Sequence, residues 1–313
     1  MPDPFDHIAG HATVLGRLRS ALATSRLPHG LLFDGPDGVG KLAVAIALAR
    51  AFLNCQADRD FTQHPDFHHV TRQLVRLHDR TGKSKALRLT VEVIRKEVVE
   101  PANRKSVEGV GKVFVVEEAE TMNPAAQNAL LKTLEEPAGR TLIVLVTSRA
   151  DGLLPTIRSR CQRFQFGELS TDDTAHVLQQ QGVTGQLADE AIALAGGRPG
   201  EAMRFIDDGI VQRASKLKEL LGSDALASFL AESADEYAAK QLERDPLGSK
   251  DAFTRGGHAL YLRLAADVLR TRLVEMPSES LCTKIDAIAR AERYLHGNVN
   301  VNLTLQHLQL ELQ

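Results

Sequence analysis

Tryptophan is absent from this 313-residue chain, and aromatic residues make up only 4% of it. The core must therefore be built from aliphatic side chains and alanine, a balance that favours helices because Ala and Leu are strong helix formers. Cysteine is scarce: Cys55, Cys161 and Cys282 stand far apart and are odd in number. They offer neither a disulfide framework nor a Cys-x-x-Cys metal site, and a four-cysteine zinc module is excluded outright. No run approaches the ~20 apolar residues of a membrane-spanning helix. The opening MPDPFDHIAGH has no basic start followed by an apolar stretch, so it does not read as a secretory signal. The expectation is a cytoplasmic protein with no membrane partner. Excess charge of one sign is also missing, the net being −2, which excludes a bulk electrostatic magnet for nucleic acid. What remains is 43% hydrophobic and 25% charged, the composition of a globular protein with a sizeable core. The length suits two or three domains.

Charge is distributed unevenly. Residues 1–167 hold 23 basic and 18 acidic side chains, residues 168–208 hold 2 and 8, and residues 209–313 hold 13 and 14. The window 72–105 alone carries 10 basic and 4 acidic residues, the pattern of a local interaction face. The same three parts differ in periodicity. In 1–167, β-rich runs at Gly30–Phe33, Phe67–Val70, Val113–Val116, Leu142–Thr147 and Gln162–Phe166 alternate with helical spacing near 11–25, 41–53, 91–103 and 123–135. Alternation of this kind predicts a parallel sheet covered on both faces. The unbroken runs VFVV and LIVLV fit strands buried on both sides. Residues 168–208 read as a small helical unit, with Ser170 as an N-cap, a stop at Gly196-Gly197, and Pro199 in the first turn of the next helix. Residues 209–313 read as an all-α bundle of four or five helices, interrupted near Pro246, Pro277 and Gly297. Leucine-rich stretches such as Ala259–Leu273 and Val301–Leu312 suggest a subunit interface as well as a core.

The sharpest local signal is Gly35-Pro36-Asp37-Gly38-Val39-Gly40-Lys41, set between a strand and a helix. Glycines allow backbone N–H groups to converge on phosphate oxygens, the helix N-terminus adds partial positive charge, and the lysine reaches the outer phosphates. Gly35, Gly38, Gly40 and Lys41 are therefore the candidate phosphate cradle. The next position should be Ser or Thr, whose hydroxyl holds Mg²⁺. It is Leu42, which has no oxygen to offer a hard cation. After the third strand comes Glu117-Glu118-Ala119-Glu120. Glu117 occupies the place of a metal-holding carboxylate, and Glu118 that of a base activating water. Thr147 or Ser148, closing the fourth strand, is a candidate phosphate sensor or a strand-end residue satisfying local backbone. The expectation is weak or absent ATPase of the chain alone, with weak ATP binding through Lys41 and the backbone, no required cofactor and no resident metal.

Around this loop stand, in order, Phe5-Asp6-His7-Ile8-Ala9-Gly10-His11, Leu27-Pro28-His29-Gly30, Ala129-Leu130-Leu131-Lys132-Thr133-Leu134-Glu135-Glu136-Pro137 and Thr156-Ile157-Arg158-Ser159-Arg160-Cys161. Together they resemble the clamp-loader branch of the AAA+ ATPases, strongly over residues 1 to about 205 and more weakly beyond. That resemblance implies a P-loop AAA+ α/β domain with a five-stranded parallel sheet at 1–167, a helical lid at 168–208 and an all-α collar for oligomerisation at 209–313. It implies a five-membered ring within the DNA polymerase III holoenzyme. The partners would be gamma/tau-type motor subunits, a delta-type subunit, the sliding clamp and primed DNA reached through the ring. Arg160 would be an arginine finger projected at the nucleotide of a neighbouring subunit, and Glu118 a vestigial base. Motor members of the family carry an arginine where Gly200 stands here, within Gly197-Arg198-Pro199-Gly200-Glu201-Ala202, which agrees with the loss at Leu42. A stator that delivers its finger in trans fits better than a gamma/tau-type motor, the alternative. A distant AAA+ helicase or initiator is a third reading, and 209–313 shows no helix-turn-helix signature.

Many relatives carry a zinc module between the phosphate loop and the third strand. Here that stretch keeps only Cys55 and three histidines, His64, His68 and His69, which read as strand and loop residues rather than metal ligands, so no zinc is expected. Within the basic window, Arg95, Lys96, Arg104 and Lys105 are candidates for salt-dependent, sequence-independent contact with DNA phosphates. Arg72–Arg88 reads as an insertion replacing the zinc module.

Overall fold

The computed structural model describes residues 3–55, 60–75, 88–246, 248–297 and 299–313. Most of the basic Arg72–Arg88 insertion, residues 76–87, lies outside the described residues. Two compact units are present, Met1–Met203 and Arg204–Gln313.

The first unit is α/β. Its helices and strands run α1 (Ala12–Ala23), β1 (Gly30–Asp34), α2 (Lys41–Phe52), β2 (Phe67–Val70), α3 (Val91–Ala102), β3 (Lys112–Val116), α4 (Pro124–Glu135), β4 (Thr141–Thr147), α5 (Pro155–Arg158) and β5 (Gln162–Gln165). Three more helices follow: α6 (Thr171–Gln180), α7 (Gln186–Ala195) and α8 (Pro199–Asp207), the last of which crosses the boundary between the two units. The five strands pair in parallel in the order β2-β3-β4-β1-β5. Every residue of β1, β3 and β4 is buried, as their continuous apolar runs require, whereas edge strand β5 buries only Phe164. Leu31, Phe33, Val44, Leu48, Val113, Val115, Val144 and Phe164 belong to one core cluster.

Helix α3 departs from the regular helix its spacing suggests. Its middle, Arg95–Val99, is a π-turn in which the Glu100 N–H donates to the Arg95 carbonyl five residues back. Pro101 lies just beyond it. It has no N–H for the Glu97 carbonyl, and widening the preceding turn shifts the register around that gap. The end of α3 is capped by Lys112, whose buried ammonium donates to the carbonyls of Ala102 and Arg104. Burial lowers the Lys112 pKa. Asp66, also buried, accepts from the N–H groups of Val107 at 2.7 Å and Glu108 at 2.9 Å. His64 lies 3.2 Å from Glu108, and His68 stacks on Phe114. No grouping of histidine, cysteine and carboxylates able to hold a metal occurs among the described residues.

The second unit comprises α9 (Ile210–Leu220), α10 (Leu226–Arg244), α11 (Lys250–Glu275), α12 (Glu279–His296) and α13 (Val301–Leu312). Leu217, Leu230, Leu262, Leu269, Leu305 and Leu308 fill its interior. No described helix is long and apolar enough to cross a membrane. His258 of α11 is only 3% exposed. Burial lowers its pKa, Asp235 opposing the shift. A histidine held neutral in the fold stabilises it above the unfolded value of about 6.5, and that contribution is lost as pH falls below it. The urea midpoint should therefore drop between about pH 7.5 and pH 5.5, and His258→Phe should shrink the drop. Equal pH sensitivity in the two proteins would remove His258 as a cause.

Candidate nucleotide loop and arginine site

Strand β1 has a different site at each end. At its carboxyl end the chain leaves Asp34 for the loop Gly35–Gly40 and enters α2 at Lys41. This is the edge at which parallel α/β sheets place ligands. Thr147, the last residue of β4, is in register with Asp34, and Glu117 and Glu118 follow β3 at the same edge. The sheet thus gathers Gly35, Gly38, Gly40, Lys41, Glu117, Glu118 and Thr147 along one border.

Each charged or polar member of that group is engaged within the chain. Lys41 Nζ donates to the carbonyls of Gly35 at 2.5 Å and Pro36 at 2.6 Å and lies 3.7 Å from Asp37. Burial lowers the Lys41 pKa against the pull of Asp37, Glu120 and Asp34. Glu117 Oε2 is 3.1 Å from His69 Nε2. Glu118, at a left-handed φ of 49°, receives a two-pronged guanidinium contact from Arg72. Thr147 Oγ1 donates to Glu120 at 2.7 Å, and Ser148 gives the same carboxylate its N–H and hydroxyl. Burial raises the Glu120 pKa, but the bonds from Ser148 and Thr147 outweigh it and the net shift is downward.

The loop is also held from outside. His11 Nε2 donates to the Val39 carbonyl at 2.7 Å, since a carbonyl can only accept, and the imidazole packs edge-on against Phe166. The Gly200 N–H, in the first turn of α8, donates to the Gly38 carbonyl at 2.8 Å. Backbone meets backbone there because neither position has a side chain. A Cβ on Gly38, at φ +80°, would stand 2.8 Å from the Glu201 nitrogen, and one on Gly200 would stand 3.1 Å from Gly38 Cα. Arg198, two residues before Gly200, is paired with Glu201 and donates to the Ala195 carbonyl at 2.8 Å.

The amino end of β1 carries the second site. Three segments far apart in sequence meet at Gly30, where an added Cβ would lie 3.0 Å from the Arg160 carbonyl, 3.2 Å from Leu134 Cδ2 and 3.4 Å from Cys161 Sγ. His29 Nε2 donates to the Leu134 carbonyl at 2.6 Å, closing the last turn of α4. Arg160 Nε donates to Glu135 Oε1 at 2.6 Å, its Nη2 pairs with the same oxygen, and its Nη1 donates to the Thr156 carbonyl at 3.0 Å. The Arg160 side chain remains 34% exposed. Cys161 is buried and its thiol pKa is pushed up to about 12, which suits a packed residue and not a nucleophile. Arg95, Lys96, Arg104 and Lys105 are all exposed, on α3 and just beyond its end.

Several of these contacts have no counterpart in the sequence reading: Glu120, Arg72, His69, His11 and Glu135. Glu120 carried a signal as the third carboxylate within four positions after a buried strand, and His11 and Glu135 carried one as members of the segments Phe5–His11 and Ala129–Pro137.

Residues 10–170 match the family model described as "DNA polymerase III, delta subunit". The DNA polymerase III subunit delta' of Bacillus subtilis is 28% identical, over 96% of this chain and 95% of the relative. The delta' subunit of Pseudomonas aeruginosa is 32% identical over 66% of this chain and 65% of that protein. The tau subunit of Salmonella typhimurium is 27% identical over 95% of this chain, which spans 48% of that relative. Among solved structures, a DNA polymerase III gamma subunit-related protein from Thermotoga maritima shares the fold, with a TM-score of 0.56 at 20% identity over 94% of this chain and 97% of that one.

Proposed function

This chain belongs to the DNA polymerase III delta-subunit family, and on that premise we propose that it is a delta-prime-type stator of the clamp loader. It hydrolyses ATP poorly or not at all and supplies Arg160 to the nucleotide of a neighbouring motor subunit. One observation carries the reading: Arg160 sits at the opposite end of β1 from the chain's own phosphate loop. Gly30 to Gly35 spans roughly 16 Å at about 3.3 Å per strand residue, whereas an arginine side chain reaches roughly 7 Å by ordinary bond lengths. The guanidinium is out of reach of its own loop and exposed for use by another chain. A cation delivered in trans neutralises charge developing on the transferred phosphoryl group.

The chain's own loop supports the other half of the reading. Leu42 contributes no hydroxyl, Glu118 is held by Arg72, and Thr147 by Glu120. A Mg²⁺ ion at this edge would have to draw on carboxylates already paired with cations or donors, without the hydroxyl that normally fixes it. The isolated protein should therefore bind nucleotide with nearly the same weak affinity with and without Mg²⁺ and show no steady-state turnover above background. Robust Mg²⁺-dependent turnover by the purified chain would return it to the gamma/tau-type motor reading, which the tau relatives keep in view.

In this reading the partners are the gamma/tau-type and delta-type subunits, the sliding clamp, and primed DNA through the assembled ring. Exposed Leu303 and Leu310, seven residues apart on one face of α13, together with exposed Val274 and Met276, fit a collar that seats against other subunits. Exposed Arg95, Lys96, Arg104 and Lys105 fit phosphate contact without base readout.

A further inference from the structure

We propose that Glu135 is the positioning residue that aims Arg160 at the neighbouring subunit's nucleotide. The inference rests on the trans-finger reading above and adds the carboxylate that makes a mobile surface arginine usable. Five N–H groups surround a guanidinium. Glu135 takes the side-on pair, Nε and one hydrogen of Nη2, and the Thr156 carbonyl takes one hydrogen of Nη1. The outer hydrogen of Nη2 is left over, and the second on Nη1 has only a 3.5 Å contact with Ser159 Oγ. The Nη2 hydrogen lies at the end of the fork, on the edge that reads a phosphate. Holding the side-on edge by protein while an end-on Nη2 hydrogen stays unclaimed is the arrangement an arginine needs to meet an anion without searching rotamers at the moment of reaction.

The placement of Glu135 gives the same answer. It is the last residue of α4, where the helix dipole disfavours negative charge, and Glu136 follows it. A carboxylate there works against the helix and gains its value from the cation it faces. The turn bearing it is fixed from below: His29 donates to the Leu134 carbonyl, and Gly30 lets the Arg160 backbone approach that turn. The three segments Leu27–Gly30, Ala129–Pro137 and Thr156–Cys161 converge to hold one guanidinium in one orientation. An exposed pair of this kind adds little to stability, so the contact can be removed without unfolding the chain.

The test is the ATPase of the full ring, reconstituted with its motor and delta-type subunits, clamp and primed DNA, comparing wild type, Glu135→Ala, Glu135→Gln, Arg160→Ala and the Arg160→Ala/Glu135→Ala double variant. Glu135→Ala should lower kcat about 10-fold, with KM for ATP, ring assembly and the melting temperature of the free subunit unchanged. Glu135→Gln keeps the acceptor oxygen and should stay within about 3-fold of wild type. The double variant should be no slower than Arg160→Ala, because a misaimed finger and a missing one fail in the same way. A wild-type kcat for Glu135→Ala beside a slow Arg160→Ala overturns the positioning role alone. So does a further loss in the double variant. A wild-type kcat for Arg160→Ala overturns the finger reading itself, and this inference with it.

Discussion

Replacing Arg160 with alanine is expected to cut the clamp- and DNA-stimulated ATPase of the reconstituted ring by about 10-fold or more, the low end of what trans-acting arginines contribute. The paired control is Lys41→Ala, expected to change the same rate by less than about 2-fold. Both substitutions remove one positive charge from the same subunit, one at each end of β1, so a general electrostatic effect on assembly would move them together. Trans chemistry separates them. The Arg160 side chain is 34% exposed, whereas the Lys41 side chain is 6% exposed and its ammonium donates to its own loop's carbonyls. The measurement is kcat at saturating ATP on rings of matched stoichiometry. An unchanged rate for Arg160→Ala removes the finger assignment. A collapse with Lys41→Ala would show that this subunit's own loop participates in turnover.

The second large effect concerns the loop and the lid. Gly38→Ala should cost about 2–4 kcal/mol of stability, against about 1–2 kcal/mol for Gly40→Ala. Both glycines have positive φ, +80° and +100°, where any L-residue is strained. Only Gly38 meets a second obstacle, the Glu201 nitrogen 2.8 Å from the added Cβ, while nothing stands within 4 Å at Gly40. The excess cost of Gly38→Ala thus measures the seating of α8 on the loop. Urea unfolding gives the energies, and amide exchange at Gly200, whose N–H donates to the Gly38 carbonyl, gives the location. Gly200 should exchange faster in Gly38→Ala and not in Gly40→Ala. Equal losses with Gly200 equally protected would mean that the lid is not held there. The contact bears on function because Gly200 stands where motor relatives are expected to carry an arginine, and a side chain at that position would need the space the Gly38 backbone now occupies.

The sheet was readable from composition and periodicity because its strands are buried on both faces. VFVV and LIVLV are apolar throughout, and burial leaves them no other role than β3 and β4. Helix ends were readable where capping chemistry is local: the Ser170 hydroxyl accepts from the Asp173 N–H, and Gly196 ends α7 at a left-handed φ of 60°. The π-turn in α3 was not, although Pro101 was in view, since a proline inside a helical pattern permits a kink, a break or a change of register, and packing chooses among them. Local spacing likewise pointed to the phosphate loop, because seven consecutive residues between a strand and a helix define it. The partners of Glu117, Glu118 and Thr147 were invisible, lying 48, 46 and 27 residues away in sequence.

Sequence alone therefore defines the set of elements and the residue that follows the loop lysine. Those depend on near-neighbour chemistry: apolar periodicity, caps, turn glycines, and a leucine where a hydroxyl would hold magnesium. The commitment of each charged side chain, by contrast, comes from tertiary packing. Arg160 and Lys41 are both cations beside a glycine-bearing strand, and no local pattern says that one is buried against its own loop while the other is held by Glu135 at the opposite edge of the sheet. That difference arises from the parallel sheet, which sends the carboxyl ends of all five strands to one border and their amino ends to the other, and so separates in space two sites that a single strand joins.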